Sequence, residues 1–82
     1  PKALPALMRA AKLQRRAARA GVTVETTPAE LETLAGQVAA GENAEAALGE
    51  LLFKAAALAR QVGLDPEQAL QKANATFTAA PH

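Results

Sequence analysis

The charged side chains of this chain are segregated along the sequence, and their types suggest two kinds of chemistry. The first 20 residues carry six cations and no acid, whereas residues 21–50 carry six glutamates and no cation. Carboxylate oxygens can bind metal ions, and lysine and arginine bind phosphate groups. The two segments could form a phosphate-facing surface beside a metal-facing one, or they could pair with each other inside the fold.

The amino-acid composition excludes several classes of protein. Of the 82 residues, 41 are apolar, 23 of these are alanine, and there is no Ile, Trp, Tyr or Cys. A β-sandwich would need β-branched and aromatic residues, and a disulfide scaffold or thiolate metal site would need cysteine. No apolar run approaches the roughly 20 residues that cross a membrane. We therefore expect one small helical domain whose alanine-rich core is completed by an oligomeric partner.

Helical periodicity and helix-stop residues predict four helices. Gly21, Gly41 and Gly63 mark the ends of the first three, since glycine readily adopts the left-handed conformation that terminates a helix. The β-prone stretch 22–27 is too short to be more than a linker. The predicted helices cover about residues 4–20, 28–40, 44–62 and 66–77.

Three polar residues precede the later helices and are expected to cap them. Thr27 and Glu30 have the spacing of a capping box, Asn43 precedes the third helix, and Asp65 precedes the fourth. Proline follows Thr27 and Asp65 at the first helical position, where its missing N–H costs nothing.

The fourth helix is expected to bury one apolar face. Leu70, Ala73 and Phe77 share that face, and Asn74 lies among them. The tail that ends at His82 is expected to be frayed.

Three segments resemble the MazG-type nucleoside triphosphate pyrophosphohydrolases. Residues 48–53 read Leu-Gly-Glu-Leu-Leu-Phe, where that family has Leu-Gly-Asp-Leu-Leu-Phe, and residues 63–77 resemble its Asp-Pro-Glu-Glu-Ala-Leu cap and Asn-x-Lys-Phe helix. Residues 4–18 are similar to the start of its catalytic domain, which in long members occurs as the second of two copies. The resemblance implies an all-α, four-helix MazG-like domain over residues 1–82, a helix bundle completed by dimerisation, within a fragment or C-terminal part of a longer chain.

The resemblance also implies an activity. Members hydrolyse nucleoside triphosphates to the monophosphate and pyrophosphate with Mg²⁺, which carboxylates hold in the patterns Glu-Glu-x-x-Glu and Glu-x-x-Asp. In this chain those positions fall on Ala29, Glu30, Thr33, Ala47 and Glu50. Only Glu30 and Glu50 are acidic, so they are the candidate metal ligands and the activity of this segment is expected to be weak or lost. The alternative is a non-catalytic MazG-like domain that dimerises or regulates.

Each candidate carboxylate and amide also has a purely structural interpretation. Glu30 could serve only as the capping partner of Thr27, and Glu50 could pair with Lys54 one helical turn away. Asn74 could bond backbone groups inside the fold instead of contacting a nucleotide.

The basic face of the first helix has three interpretations. Arg9, Lys12, Arg16 and Arg19 recur on one face and could simply be solvated. The resemblance implies that Lys12 and Arg15 or Arg16 approach the substrate phosphates. Nucleic-acid binding is disfavoured because no aromatic residue accompanies the basic face. We expect a cytoplasmic homodimer or higher oligomer that acts on nucleoside triphosphates and does not enter a membrane.

Overall fold

The computed structural model describes residues 4–81, and these form four α-helices joined by short segments. The described residues contain no strand, which confirms the predicted all-α class. None of their helices is long and apolar enough to cross a bilayer. The helices are α1 (Ala6–Arg19), α2 (Pro28–Ala40), α3 (Ala44–Gln61) and α4 (Pro66–Ala79).

Two of the predicted caps are confirmed. The Thr27 hydroxyl accepts the backbone N–H of Glu30 at 3.2 Å. The Asp65 carboxylate accepts the backbone N–H groups of Glu67 and Gln68 at 3.0 and 3.3 Å. Each of these side chains satisfies donors that have no partner within the helix, and so fixes where α2 and α4 begin.

Asn43 lies at the predicted position before α3 but does not cap it. Its backbone adopts the left-handed conformation, with φ 49°, and its side chain makes no capping hydrogen bond. A capping side chain requires extended backbone at its own residue, whereas asparagine also tolerates the left-handed region. Asn43 therefore helps to turn the chain between α2 and α3, and the predicted capping role is wrong.

The helices pack around α3. This helix contacts each of the other three, and α1 also contacts α4. The buried apolar side chains of the described residues are Ala47, Ala56 and Ala57, all on α3. Because these side chains are small, neighbouring helices can approach α3 closely, but the core they form contains little apolar volume.

The predicted burial of α4 is wrong for the single chain. Leu70 and Phe77 are 49% and 68% exposed, and Ala73 and Asn74 are also exposed. The helix itself continues two residues beyond Phe77, to Ala79. Within the described chain α4 contacts only α1 and α3, and these contacts leave most of the face exposed. The frayed tail predicted at His82 lies outside the described residues.

The dimensions of the chain agree with an incomplete core. The radius of gyration is 14.2 Å, whereas a compact domain of this length has a value of about 12 Å. The four helices are therefore arranged more openly than in a self-sufficient globule of the same size.

Candidate functional site

The candidate carboxylate Glu30 lies where the linker, α2 and α3 meet. Its Oε1 accepts a hydrogen bond from the Thr26 hydroxyl at 2.8 Å, and its Oε2 lies 3.3 Å from the Lys54 ammonium. The hydrogen bond from Thr26 and the one from Lys54 lower the pKa of Glu30 below its usual value. Glu30 is therefore an ionised group whose two oxygens both have partners within the chain.

Lys54 is the cation of this cluster, and its position corrects one structural interpretation. Its ammonium bonds the Glu25 carbonyl at 3.1 Å as well as the Glu30 carboxylate, and its side chain is only 18% exposed. The Lys54 ion pair is thus with Glu30, not with Glu50 on its own helix. Glu50 is exposed. The Thr27 cap uses the backbone N–H of Glu30, whereas the Glu30 carboxylate bonds Thr26 and Lys54, so the interpretation of this side chain as the capping partner of Thr27 is wrong.

The residues present are a poor fit for the implied Mg²⁺. The described part of the chain contains no group of three or more histidines, cysteines or acids that could hold a metal. Of the three motif positions without an acid, Ala29 and Thr33 are exposed and Ala47 is buried. Mg²⁺ requires hard oxygen ligands that are free to coordinate it. Here one of the two remaining carboxylates is already bonded to an ammonium group.

The candidate phosphate-binding residues lie on other helices. Lys12, Arg15 and Arg16 are exposed on α1, and Asn74 is exposed on α4. Within residues 4–81, α2 contacts neither α1 nor α4. A single copy therefore does not pack the helix that bears Glu30 against the helices that bear these candidate nucleotide contacts.

Arg15 lies beside a cavity at the start of α4. It lines a cavity of about 250 Å³ with Arg60, at the turn that leads into α4 and its capping residue Asp65. Asp65 also lines this cavity, so a negatively charged residue lies near the two arginines there.

A set of contacts between the linker and α3 was not foreseen from the sequence. Gln61 bonds the backbone of Thr26 twice: the Thr26 N–H donates to its Oε1 at 2.7 Å, and its Nε2 donates to the Thr26 carbonyl at 3.2 Å. Arg60 donates to the Val24 carbonyl at 2.8 Å. These bonds hold the linker against α3 and so position the Thr26 hydroxyl beside Glu30. Their sequence signal is weak, because polar residues at the end of a helix usually face solvent.

An apolar groove opens between α1, α3 and α4. Its volume is about 390 Å³, and at its edge Leu52 and Leu70 are 54% and 49% exposed. Large exposed apolar surfaces on small domains mark places where another molecule docks. The groove is lined by Ala6, Leu7, Ala10, Gly49, Leu52, Phe53 and Leu70.

Comparison with known proteins gives the relationship of this chain. No protein-family model matches it. It is 39% identical over 88 residues to nucleoside triphosphate pyrophosphohydrolases of Escherichia coli K12 and of Escherichia coli O157:H7. The match covers 94% of this chain but 34% of each relative, so the chain spans about a third of the length of the curated relatives it matches. The chain is a distant homologue of these enzymes, which confirms the resemblance found in the sequence.

Proposed function

We propose, on the premise that this chain is a distant homologue of nucleoside triphosphate pyrophosphohydrolase, that it is a MazG-like domain whose own hydrolytic activity is weak or lost. The observation that carries this proposal is the state of Glu30. Both of its carboxylate oxygens are bonded to Thr26 and Lys54. Three further motif positions, Ala29, Thr33 and Ala47, offer no carboxylate.

The proposed ligand is a nucleoside triphosphate. Its phosphates would lie against Lys12, Arg15 and Arg16, which α1 presents to solvent, and Asn74 would contact the nucleotide from α4. Arginine and lysine donate charge-assisted hydrogen bonds to phosphate oxygens, so these side chains can bind the ligand without any hydrolysis. Binding and turnover are therefore separate properties that can be measured independently.

The proposed role of Mg²⁺ is limited by the same residues. Glu30 and Glu50 would be its protein ligands, and a bound ion would activate a water and offset charge that develops on the phosphates. Glu50 is exposed and accessible, but the negative charge of Glu30 is already paired with the Lys54 ammonium. Two carboxylates, one of them already paired, support at most weak metal binding.

A homodimer is the proposed assembly. The groove between α1, α3 and α4 and the apolar face of α4 are exposed in the single chain. A second copy could cover both, and it could also bring α2 of one copy towards α1 or α4 of the other. The dimer would then be the unit in which carboxylates and cations share one site.

The activity is tested by measuring pyrophosphate release from a panel of nucleoside triphosphates with Mg²⁺. We expect release at the background level, with Glu50→Gln no different from the wild type. Turnover that disappears in Glu50→Gln would show an active domain and would refute the proposed loss.

Nucleotide binding is tested separately by equilibrium dialysis. We expect saturable binding that weakens in Lys12→Ala and Arg16→Ala, with Gln37→Ala on the exposed surface of α2 as the control. Equal binding by all four proteins would remove these cations from the proposed site.

Restoring the missing carboxylates provides a complementary test. Ala29→Glu and Thr33→Glu change exposed positions and are expected to be tolerated. Ala47 is 6% exposed, so Ala47→Glu would bury a charge unless that part of α3 moves. The double variant should therefore be measured before the triple variant, and gain of pyrophosphate release in either one supports descent from an active site.

The second candidate function is a non-catalytic domain that only dimerises or regulates, and the exposed apolar groove favours it. Leu52→Asp places a charge at the edge of the groove and is expected to shift a dimer towards the monomer in sedimentation velocity, whereas Gln37→Asp should not. A dimer together with no nucleotide binding would support this second function over the first. A wild-type chain that sediments as a monomer would count against the proposed dimer.

A further inference from the structure

We propose that Lys54 is a built-in cation that takes the place of a divalent metal between α2 and α3, so that the domain holds this cluster together without one. This inference rests on the proposed function in one respect: a metal is expected here only because of the homology. The contacts of Lys54 carry the rest.

The first step is the fixed position of the ammonium group. Lys54 projects from α3 and contacts two acceptors supplied by the linker and by α2: the Glu25 carbonyl at 3.1 Å and the Glu30 carboxylate at 3.3 Å. With a side chain only 18% exposed, it is more sheltered than an ordinary surface lysine. Lys54 therefore joins the two sides of the cluster as a bound cation would.

The second step is the engagement of the Glu30 carboxylate. Oε1 accepts the Thr26 hydroxyl and Oε2 faces Lys54. A divalent ion that binds one of these oxygens at about 2.1 Å would have to share the carboxylate with both donors. It would also have to approach an ammonium charge that repels it.

The third step is the place of Glu50. It precedes Lys54 by four residues on α3, and residues at that spacing lie on one helix face. A metal bridging Glu30 and Glu50 would thus lie next to the Lys54 ammonium. Lys54 therefore occupies Glu30 and places its charge beside any metal that would bridge the two carboxylates, whereas Glu50 itself stays exposed.

The linker contacts explain how the arrangement stays in place. Gln61 binds both backbone groups of Thr26, and this fixes the residue whose hydroxyl bonds Glu30. Glu30 is thereby oriented by Thr26 on one side and by Lys54 on the other. The carboxylate is preorganised for an ammonium partner, with no metal required.

Binding of Mn²⁺, followed by the electron paramagnetic resonance signal of the free ion, tests this proposal. We expect the wild type to bind Mn²⁺ only weakly, with half-saturation above the millimolar range. Lys54→Met should bind it at least roughly tenfold more tightly, because a repelling charge is removed. Lys54→Arg keeps the charge and should behave as the wild type, and Lys54→Met combined with Glu30→Gln should lose the gain.

Lys54→Gln provides a second variant if Lys54→Met fails to fold, since its amide can still donate to Glu25 and Glu30. Stoichiometric Mn²⁺ binding by the wild type that is lost in Glu30→Gln would overturn the proposal. So would a folded Lys54→Met or Lys54→Gln chain with no gain in Mn²⁺ affinity. Pyrophosphate release by the wild type would refute the proposed loss of activity, whereas the Mn²⁺ result alone decides the role of Lys54.

Discussion

The buried amide of Gln14 gives a prediction whose size can be worked out from its contacts. The side chain is 1% exposed, and its Nε2 donates to the Phe53 carbonyl at 2.9 Å, while its Oε1 has no partner among the described residues. Phe53 lies inside α3, so its carbonyl also accepts a helical amide and is not orphaned when Gln14 is replaced. Replacing Gln14 therefore changes only the hydrogen bonding of its own amide group.

Gln14→Leu replaces this amide by an apolar group of similar size. The lost neutral hydrogen bond costs about 0.5–1.5 kcal/mol, whereas removing a buried acceptor without a partner returns about 1–3 kcal/mol. The free energy of unfolding is therefore expected to rise by about 1 kcal/mol. For a domain of this size, that change raises the melting temperature by about 4–8 °C.

The assay is urea and thermal unfolding followed by circular dichroism, with all variants at one protein concentration because self-association would shift the midpoint. Gln14→Ala is the control, since it removes the same amide but leaves a cavity and is expected to destabilise the domain by about 2 kcal/mol or more. Destabilisation by more than about 1 kcal/mol in Gln14→Leu would refute the reasoning, because it would mean that Oε1 has a partner in the folded protein.

Three further predictions concern the linker and its neighbours. Thr27→Ala should lower the free energy of unfolding by about 1 kcal/mol in urea titrations, since it removes the cap of α2, and an unchanged midpoint would contradict the cap. Gln61→Ala should accelerate amide hydrogen exchange at Thr26, because the Gln61 side chain accepts the Thr26 N–H in the wild type. Unaltered exchange there would contradict the linker contacts. The lowered pKa of Glu30 stabilises the fold above the ordinary glutamate pKa, and this stabilisation is lost as the pH falls through the lowered value. Unfolding midpoints measured across this acidic range should therefore depend less on pH in Lys54→Gln than in the wild type, and equal slopes would refute this.

The helices and two of their caps could be predicted because their causes are local. Thr27 and Asp65 bond amides within three residues of themselves, so spacing along the chain contains the information. The cap predicted at Asn43 was wrong because its spacing does not reveal the backbone conformation of the residue. With a left-handed φ, the Asn43 side chain does not cap α3. Helix boundaries were otherwise correct to within about two residues.

The pairing of Lys54 could not be predicted because its cause is tertiary. Spacing along α3 pointed to Glu50, four residues away, and this is where a helix in isolation would place the ion pair. The observed partner, Glu30, is 24 residues away and becomes available only when α2 packs on α3 and Gln61 fixes the linker. The burial of α4 was overestimated for a related reason: periodicity identifies an apolar face but not the element that covers it.

The distribution of apolar residues explains why this fold presents so much of its hydrophobic surface. The buried apolar positions of the described chain are three alanines, whereas ten of its larger apolar side chains are exposed by 36% or more. Alanine at the centre of α3 lets helices approach closely and leaves larger apolar side chains at the periphery, where the exposed leucines Leu52 and Leu70 line the groove between α1, α3 and α4. Burying those leucines against a second copy would add the apolar contact that the single core lacks. In the proposed dimer, the carboxylates of α2 and α3 would also approach the cations of α1. Dimerisation would then bury the exposed leucines and assemble the proposed nucleotide site at the same time.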